Sequence, residues 1–121
     1  MRLLLVDDDA FLRDMYAAKF TEANHKVAVA KSGEEAVSIL KRGDEFDVIV
    51  MDMVMPDISG IDLLKKIQEF SLCPNAKCIV LSNQGEQSDV DAAKSVGAVG
   101  YIIKAESIPS QVVKKVEELA K

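Results

Sequence analysis

The sequence contains few of the residues on which disulfide-rich or zinc-binding domains depend. Its 121 residues include two cysteines, one histidine and no tryptophan. Two cysteines cannot form a disulfide framework, and with one histidine they cannot complete a four-ligand zinc site. We therefore predict that Cys73 and Cys78 are reduced structural residues. We also predict that His25 is a surface residue ahead of the second strand.

Long hydrophobic runs and excess positive charge are also absent. The apolar start of the chain ends after a few residues in three aspartates, too early for an export signal, and no run approaches the roughly 18 residues of a membrane span. The net charge of -5 disfavours direct binding to nucleic acid or to anionic membranes. With 49% apolar residues, the length suits one domain. We expect a single cytoplasmic domain spanning residues 1–121.

Five short apolar runs alternate with segments of helical periodicity. Because the runs lack polar alternation, they are typical of strands buried on both faces, and the alternation with helices predicts a doubly wound, five-stranded parallel α/β sheet. Phe11 in the first helical segment and Phe70 in the third fall on the predicted apolar stripes. The predicted strands are Leu3–Val6, Val27–Ala30, Val48–Met51, Cys78–Leu81 and Tyr101–Ile103.

Several polar residues predict helix starts. Asp9 is expected to be the N-cap of the first helix rather than a ligand, and Ser32 has the capping-box spacing to Glu35. Asp57, which follows a proline, is interpreted as a loop acid. The fourth helix, predicted from about Ser88 to Val96, has no large apolar side chain, so it should bury less area and shift more easily than its neighbours.

The informative residues stand where the predicted strands end. These are Asp7 and Asp8, Asp52, Ser82 and Lys104. Parallel strands end at one edge of a sheet, where open α/β sheets bind ligands. If the first and third strands are neighbours, three carboxylates converge, and two such charges about 5 Å apart repel by roughly 3 kcal/mol at an effective dielectric constant near 20. The cluster therefore needs a cation or a proton.

The chemistry of this donor set favours phosphoryl transfer. Carboxylates without histidine or cysteine suit Mg²⁺, which binds one or two carboxylates together with water and phosphate oxygens. Asp52 would attack phosphorus to give an acyl phosphate, while the metal ion offsets the developing charge. The Ser82 hydroxyl and the Lys104 ammonium would each contact a phosphoryl oxygen. Such a protein would catalyse its own aspartyl phosphorylation and dephosphorylation and would not be a conventional enzyme.

Four motifs resemble the receiver domains of bacterial two-component response regulators, particularly the chemotaxis type. They are Leu-Val-Asp-Asp-Asp at 5–9, Met-Asp-Met-Val-Met-Pro-Asp-Ile-Ser-Gly at 51–60, Val-Leu-Ser at 80–82 and Gly-Tyr-Ile-Ile-Lys at 100–104. The resemblance extends over essentially the whole chain. It implies a flavodoxin-like (βα)5 three-layer sandwich with strand order 2-1-3-4-5.

The resemblance also implies a role for each site residue. Asp52 is then the phosphoacceptor, and Asp7 and Asp8 hold Mg²⁺, with Asp8 and Asp52 as direct ligands. The backbone carbonyl of Val54 completes the protein's share of the metal site. The remaining implied roles are a phosphoryl contact for Lys104 and a switch pair of Ser82 and Tyr101.

The implied partners are a sensor histidine kinase or phosphotransfer protein and a downstream protein or output domain. The latter would be controlled through the surface of the fourth helix, fifth strand and fifth helix. A phosphorylation-dependent homodimer is left open.

Two positions depart from the family pattern. The lysine of the family is usually followed by proline, often after a cis peptide, whereas Lys104 is followed by Ala105, for which a cis bond costs about 2.5–4 kcal/mol. The residue after the switch serine is usually small, and here it is Asn83. These departures keep open a degenerate receiver that binds a partner without phosphorylation. A flavodoxin-like electron carrier fits less well, since three aspartates would repel the flavin phosphate.

Overall fold

The computed structural model describes residues 1–121 and contains one five-stranded parallel sheet covered by helices on both faces. The sheet order is β2-β1-β3-β4-β5, and every neighbouring pair is parallel, which confirms the predicted topology. The strands are β1 Arg2–Val6, β2 Lys26–Ala30, β3 Val48–Met51, β4 Lys77–Ser82 and β5 Ala98–Ile103. The helices are α1 Ala10–Glu22, α2 Gly33–Lys41, α3 Gly60–Glu69, α4 Gln87–Ser95 and α5 Pro109–Leu119.

Successive side chains of the central strands enter two separate cores, as the pleat of a strand requires. On β1, Leu4 and Val6 pack with α2, α3 and α4, whereas Leu3 and Leu5 pack with α1 and α5. This explains why the strands are apolar throughout. None of the five helices combines the length and the apolar character that crossing a bilayer requires.

The N-terminal caps predicted for the first two helices are present. Asp9 caps α1 by accepting a hydrogen bond from Leu12 N–H, and Ser32 caps α2 by accepting one from Glu35 N–H. Strand β5 is longer than predicted because its first residues, from Ala98, continue the pairing with β4 across a register shift.

Two aromatic residues do not lie where the helical periodicity predicts. Phe11 is 77% exposed, because α1 buries the face that carries Tyr16 and Phe20 instead. Phe70 lies at the C-cap of α3, largely exposed, with the Lys41 ammonium 5.5 Å from its ring centroid. Placing both residues on apolar stripes was therefore wrong.

The interpretation of His25 as a surface residue was also wrong. Its side chain is only 8% exposed, and its Nε2 lies 2.8 Å from Glu117 Oε2 on α5. Its ring packs near that of Phe20, with the centroids 6.2 Å apart. His25 therefore joins the turn before β2 to the last helix, across 92 residues of sequence.

Candidate functional site

The register of the sheet brings the strand-end residues together. Val6 pairs with Met51, so that Asp7 and Asp52 emerge side by side from neighbouring strands. The backbone N–H of Asp52 donates to the carbonyl of Val6 at 3.1 Å, which continues the ladder to the edge of the sheet. Asp8 completes the group, and one carboxylate oxygen of each of the three aspartates lies within 4.8 Å of the others.

A lysine from β5's end lies between two of these carboxylates. Lys104 Nζ is 2.8 Å from Asp7 Oδ2 and 2.9 Å from Asp52 Oδ2, and its side chain is only 7% exposed. Burial by itself would lower the pKa of Lys104, but its hydrogen bonds to Asp7 and Asp52 and their charges outweigh that effect and raise the pKa above its ordinary value. Lys104 is therefore a fixed cation in the site.

The three carboxylates have different surroundings. Asp7 is almost fully buried and uses both oxygens, since Oδ1 accepts from Asp9 N–H at 3.0 Å and Oδ2 accepts from Lys104. Asp52 is partly buried, and its Oδ1 accepts from Val54 N–H at 3.3 Å. Asp8 is exposed and has no protein partner. The cluster has three carboxylates and one contacting cation, so its electrostatics favour a further cation.

Ser82 and Tyr101 are connected through one residue of the β4–α4 loop. The buried Ser82 Oγ accepts a hydrogen bond from Gln84 N–H at 3.2 Å, and the Tyr101 hydroxyl donates to the carbonyl of the same residue. Burial raises the pKa of Tyr101, with a further contribution from the charge of Asp89. The phenol therefore stays protonated and remains a hydrogen-bond donor at neutral pH.

The two departures from the family pattern have simple structural outcomes. The chain contains no cis peptide, and Lys104–Glu106 forms a single 3-10 turn before α5. Asn83 is exposed in the β4–α4 loop, where it lines a shallow hollow with Gln84 and Glu86. Neither residue displaces Lys104 or Ser82 from the edge of the sheet.

Sequence reasoning missed three residues around the site. The Arg13 guanidinium donates to the carbonyl of Asp7 at 3.1 Å, and Asp57 binds backbone amides of α2. Tyr16 is buried close to the cluster; burial raises its pKa, as do the charges of Asp7 and Asp52, whereas Lys104 opposes them. These contacts join separate segments or depend on which face of a helix is buried, so no local sequence pattern predicts them.

Comparison with known proteins assigns the family. The protein-family model for the response regulator receiver domain matches residues 3–117 of this sequence. The chain belongs to the response regulator receiver family. It is 40% identical over 121 residues to the chemotaxis protein CheY of Thermotoga maritima, covering 99% of this chain and 98% of that protein.

Other relatives extend the comparison. The response regulator SaeR of Staphylococcus aureus is 31% identical over 97% of this receiver, which spans 49% of that protein. Among solved structures, chemotaxis protein CheY4 of Vibrio cholerae superposes with a TM-score of 0.89 at 26% identity, covering 98% of this chain and 97% of that one. Receiver domains bind Mg²⁺ at an acidic pocket, and the Asp7, Asp8 and Asp52 cluster has the composition of such a pocket.

Proposed function

We propose that this receiver is a signalling switch that takes a phosphoryl group on Asp52. The observation that carries the proposal is the position of Lys104, whose ammonium bridges Asp7 and Asp52 while the nearby Asp8 carboxylate has no partner. Such a site can neutralise an incoming phosphoryl group and still hold a divalent cation. The family assignment supports the same function.

The donor set fits Mg²⁺. The ion would be held by Asp8 and Asp52 directly, by the Val54 carbonyl, and by Asp7 through water, because Asp7 is almost fully buried whereas Asp8 and Asp52 are more accessible at the edge of the sheet. When bound, Mg²⁺ supplies charge neutralisation on the transferring phosphoryl oxygens. Asp8 is suited to be a direct ligand because its carboxylate is exposed and unpartnered.

The receiver's own contribution to the transfer comes from the residues at this edge of the sheet. An Asp52 oxygen forms a bond to phosphorus as the bond from phosphorus to the imidazole nitrogen of a phosphohistidine donor breaks, and the electron pair leaves with the imidazole. Lys104 is already placed against Asp52 and would follow the charge onto a phosphoryl oxygen. The donor is a sensor histidine kinase or a phosphotransfer protein.

The proposed output is a change of the α4-β5-α5 surface. If the Ser82 hydroxyl turns to a phosphoryl oxygen, the Gln84 amide loses its acceptor, and the Gln84 carbonyl that holds the Tyr101 hydroxyl becomes free to move. Tyr101 could then turn towards the space that Ser82 leaves. Helix α4 offers little resistance, because Ala93 is its only buried residue and its N-cap has no side-chain hydrogen bond. The partner is a downstream protein or output domain in the cytoplasm.

The test is phosphorylation of the intact protein by acetyl phosphate with Mg²⁺, followed by mass spectrometry. We expect the mass of one phosphoryl group on the wild type and none on Asp52→Asn. A wild type that binds Mg²⁺ or a phosphoryl mimic but is never modified, even by its kinase, would favour the degenerate receiver. A wild type that binds neither would show that the site is misassigned.

A further inference from the structure

Asp57 fastens the loop that follows Asp52 to a different helix. Its Oδ1 accepts a hydrogen bond from Gly33 N–H at 3.2 Å, and its Oδ2 accepts one from Glu34 N–H at 2.7 Å. These amides belong to the first turn of α2, where backbone N–H groups have no partner within the helix. Because one carboxylate binds two successive amides across 23 and 24 residues of sequence, it fixes both the position and the orientation of the loop.

The same loop is closely packed at two further points. A Cβ added at Gly60 would lie 2.4 Å from the carbonyl oxygen of Asp52, and the Gly60 amide donates to the Met53 carbonyl at 2.9 Å. A Cβ added at Gly33 would lie 2.2 Å from Ile58 Cγ1. Between these contacts the only side chain that binds α2 by hydrogen bonds is that of Asp57.

Val54 lies in the segment that these contacts enclose. Its side chain is exposed and packs in neither core, while its amide donates to Asp52 Oδ1 at 3.3 Å. The backbone of Val54 is thus held by its neighbours and not by its own side chain. A backbone ligand of this kind binds well only if the loop is ordered before the ion arrives, because ordering it on binding costs conformational entropy.

We propose that Asp57 is a positioning residue that preorganises the β3–α3 loop for cation binding, through its bidentate contact with the first turn of α2. The proposal rests on the Mg²⁺ site of the proposed function. It also makes α2 part of the site, although no residue of α2 forms a hydrogen bond or ion pair with the carboxylate cluster. Partners that orient a metal ligand commonly change metal affinity by about 10–100-fold when they are removed.

Helix α2 provides a matched control. Ser32 caps the next amide of the same turn, that of Glu35, at 3.1 Å, but it is the N-cap residue next to α2 in sequence, and its hydroxyl forms no hydrogen bond with the β3–α3 loop. Ser32→Ala and Asp57→Ala therefore both remove capping from one helix end, whereas only Asp57→Ala releases the loop. Asp57→Asn keeps one acceptor oxygen and restores one of the two hydrogen bonds.

The experiment measures Mg²⁺ binding to the unphosphorylated protein by calorimetry, and amide hydrogen exchange in the metal-free state. Since one backbone ligand is affected, we expect the Kd to rise about three- to tenfold in Asp57→Ala, less in Asp57→Asn, and less than twofold in Ser32→Ala. The Val54 amide should exchange faster in Asp57→Ala than in the wild type, but not in Ser32→Ala. In Asp57→Ala the Glu34 amide should also exchange faster, since it loses the Asp57 oxygen.

Two results would overturn the positioning role. Equal Kd values for Asp57→Ala and Ser32→Ala, with the wild type still phosphorylated on Asp52, would remove the role of Asp57 and leave the proposed function intact. A wild type that neither binds Mg²⁺ nor accepts phosphoryl would remove both. If Asp57→Ala does not fold, the isosteric Asp57→Asn decides the question by the same comparison.

Discussion

Replacing Asp8 should make the metal-free protein more stable, although Asp8 is a proposed functional residue. Its carboxylate lies within 4.8 Å of those of Asp7 and Asp52 and has no cationic partner of its own. At that distance a like-charged pair repels by about 3.5 kcal/mol at a dielectric constant near 20 and by about 0.9 kcal/mol in water. Asp8 is exposed, so the water value is the closer one.

Only repulsion that is present in the folded protein and absent from the unfolded chain lowers the free energy of unfolding. Asp7 and Asp8 are adjacent in sequence and repel each other in the unfolded chain too, whereas Asp8 and Asp52 meet only in the folded protein. Lys104 offsets part of the folded-state repulsion. We therefore expect Asp8→Asn to raise the free energy of unfolding by about 1 kcal/mol without metal, which corresponds to about 3–5 °C in Tm at this chain length.

Magnesium should reverse the order. An ion at one hundred times its Kd stabilises the folded state by about 2.7 kcal/mol, and Asp8→Asn loses most of that gain because a ligand is missing. The wild type should then exceed the variant by up to about 1.7 kcal/mol at that concentration. The inversion distinguishes a cation-binding carboxylate from one that merely contributes to surface charge.

The measurement is urea unfolding in chelator and in excess Mg²⁺. Far-ultraviolet circular dichroism is the suitable signal, because the chain has no tryptophan. Asp14→Asn is the control, since Asp14 is an exposed residue of α1 outside the cluster and its replacement changes the net charge equally. A loss of stability in metal-free Asp8→Asn, or an equal gain from Mg²⁺ in Asp8→Asn and Asp14→Asn, would refute the reasoning.

Three further predictions concern packing, thiol reactivity and acid stability. Phe20→Ala should cost about 3–5 kcal/mol in urea unfolding, because Phe20 is fully buried, whereas Phe70→Ala should cost under about 1 kcal/mol; similar values would contradict the assigned burial. A thiol reagent should label Cys73 well before Cys78, because burial, with a smaller contribution from Cys73, raises the pKa of Cys78 to about 12; equal rates in the folded protein would refute this. Burial tends to raise the pKa of Asp57, but backbone hydrogen bonds, led by that from Glu34, outweigh burial and lower the pKa. The ionised Asp57 therefore stabilises the folded protein above the ordinary pKa of 3.8. This stabilisation is lost as the pH falls through the lower pKa of Asp57 in the folded protein. The stability difference between wild type and Asp57→Asn should therefore shrink below about pH 4, and a constant difference would exclude the effect.

The location of the site is predictable from the sequence because it depends on where strands end. In β1, β3, β4 and β5 the apolar run continues almost to the carboxyl end of the strand, and a polar residue follows it. Local patterns alone therefore assign Asp7, Asp52, Ser82 and Lys104 to the same edge of the sheet. The residue types then restrict the chemistry. Helix starts at Asp9 and Ser32 are equally local, because each cap accepts a hydrogen bond from an amide three residues later.

Contacts between distant segments were not predictable. Asp57 looks like an ordinary loop acid, and its partners lie in another helix. His25 gives no sign of Glu117. Phe11 illustrates a different failure: α1 carries apolar residues on more than one side, and only packing against the sheet decides that Tyr16 and Phe20 are buried and Phe11 is not.

The structure also bears on how a receiver can manage without proline after its lysine. A proline would restrict the backbone beside Lys104, and here hydrogen bonds restrict it instead: Ser107 N–H donates to the Lys104 carbonyl at 3.4 Å, and Lys115 Nζ donates to Ser107 Oγ at 2.6 Å. The 3-10 turn is thereby fastened to α5 at one end, while the Lys104 ammonium is held by Asp7 and Asp52 at the other. Because the turn is bonded to α5 and the Lys104 ammonium is bonded to two carboxylates, Lys104 stays in the site without a following proline. With Ala105 in place of proline, Lys104 therefore still contacts both Asp7 and Asp52.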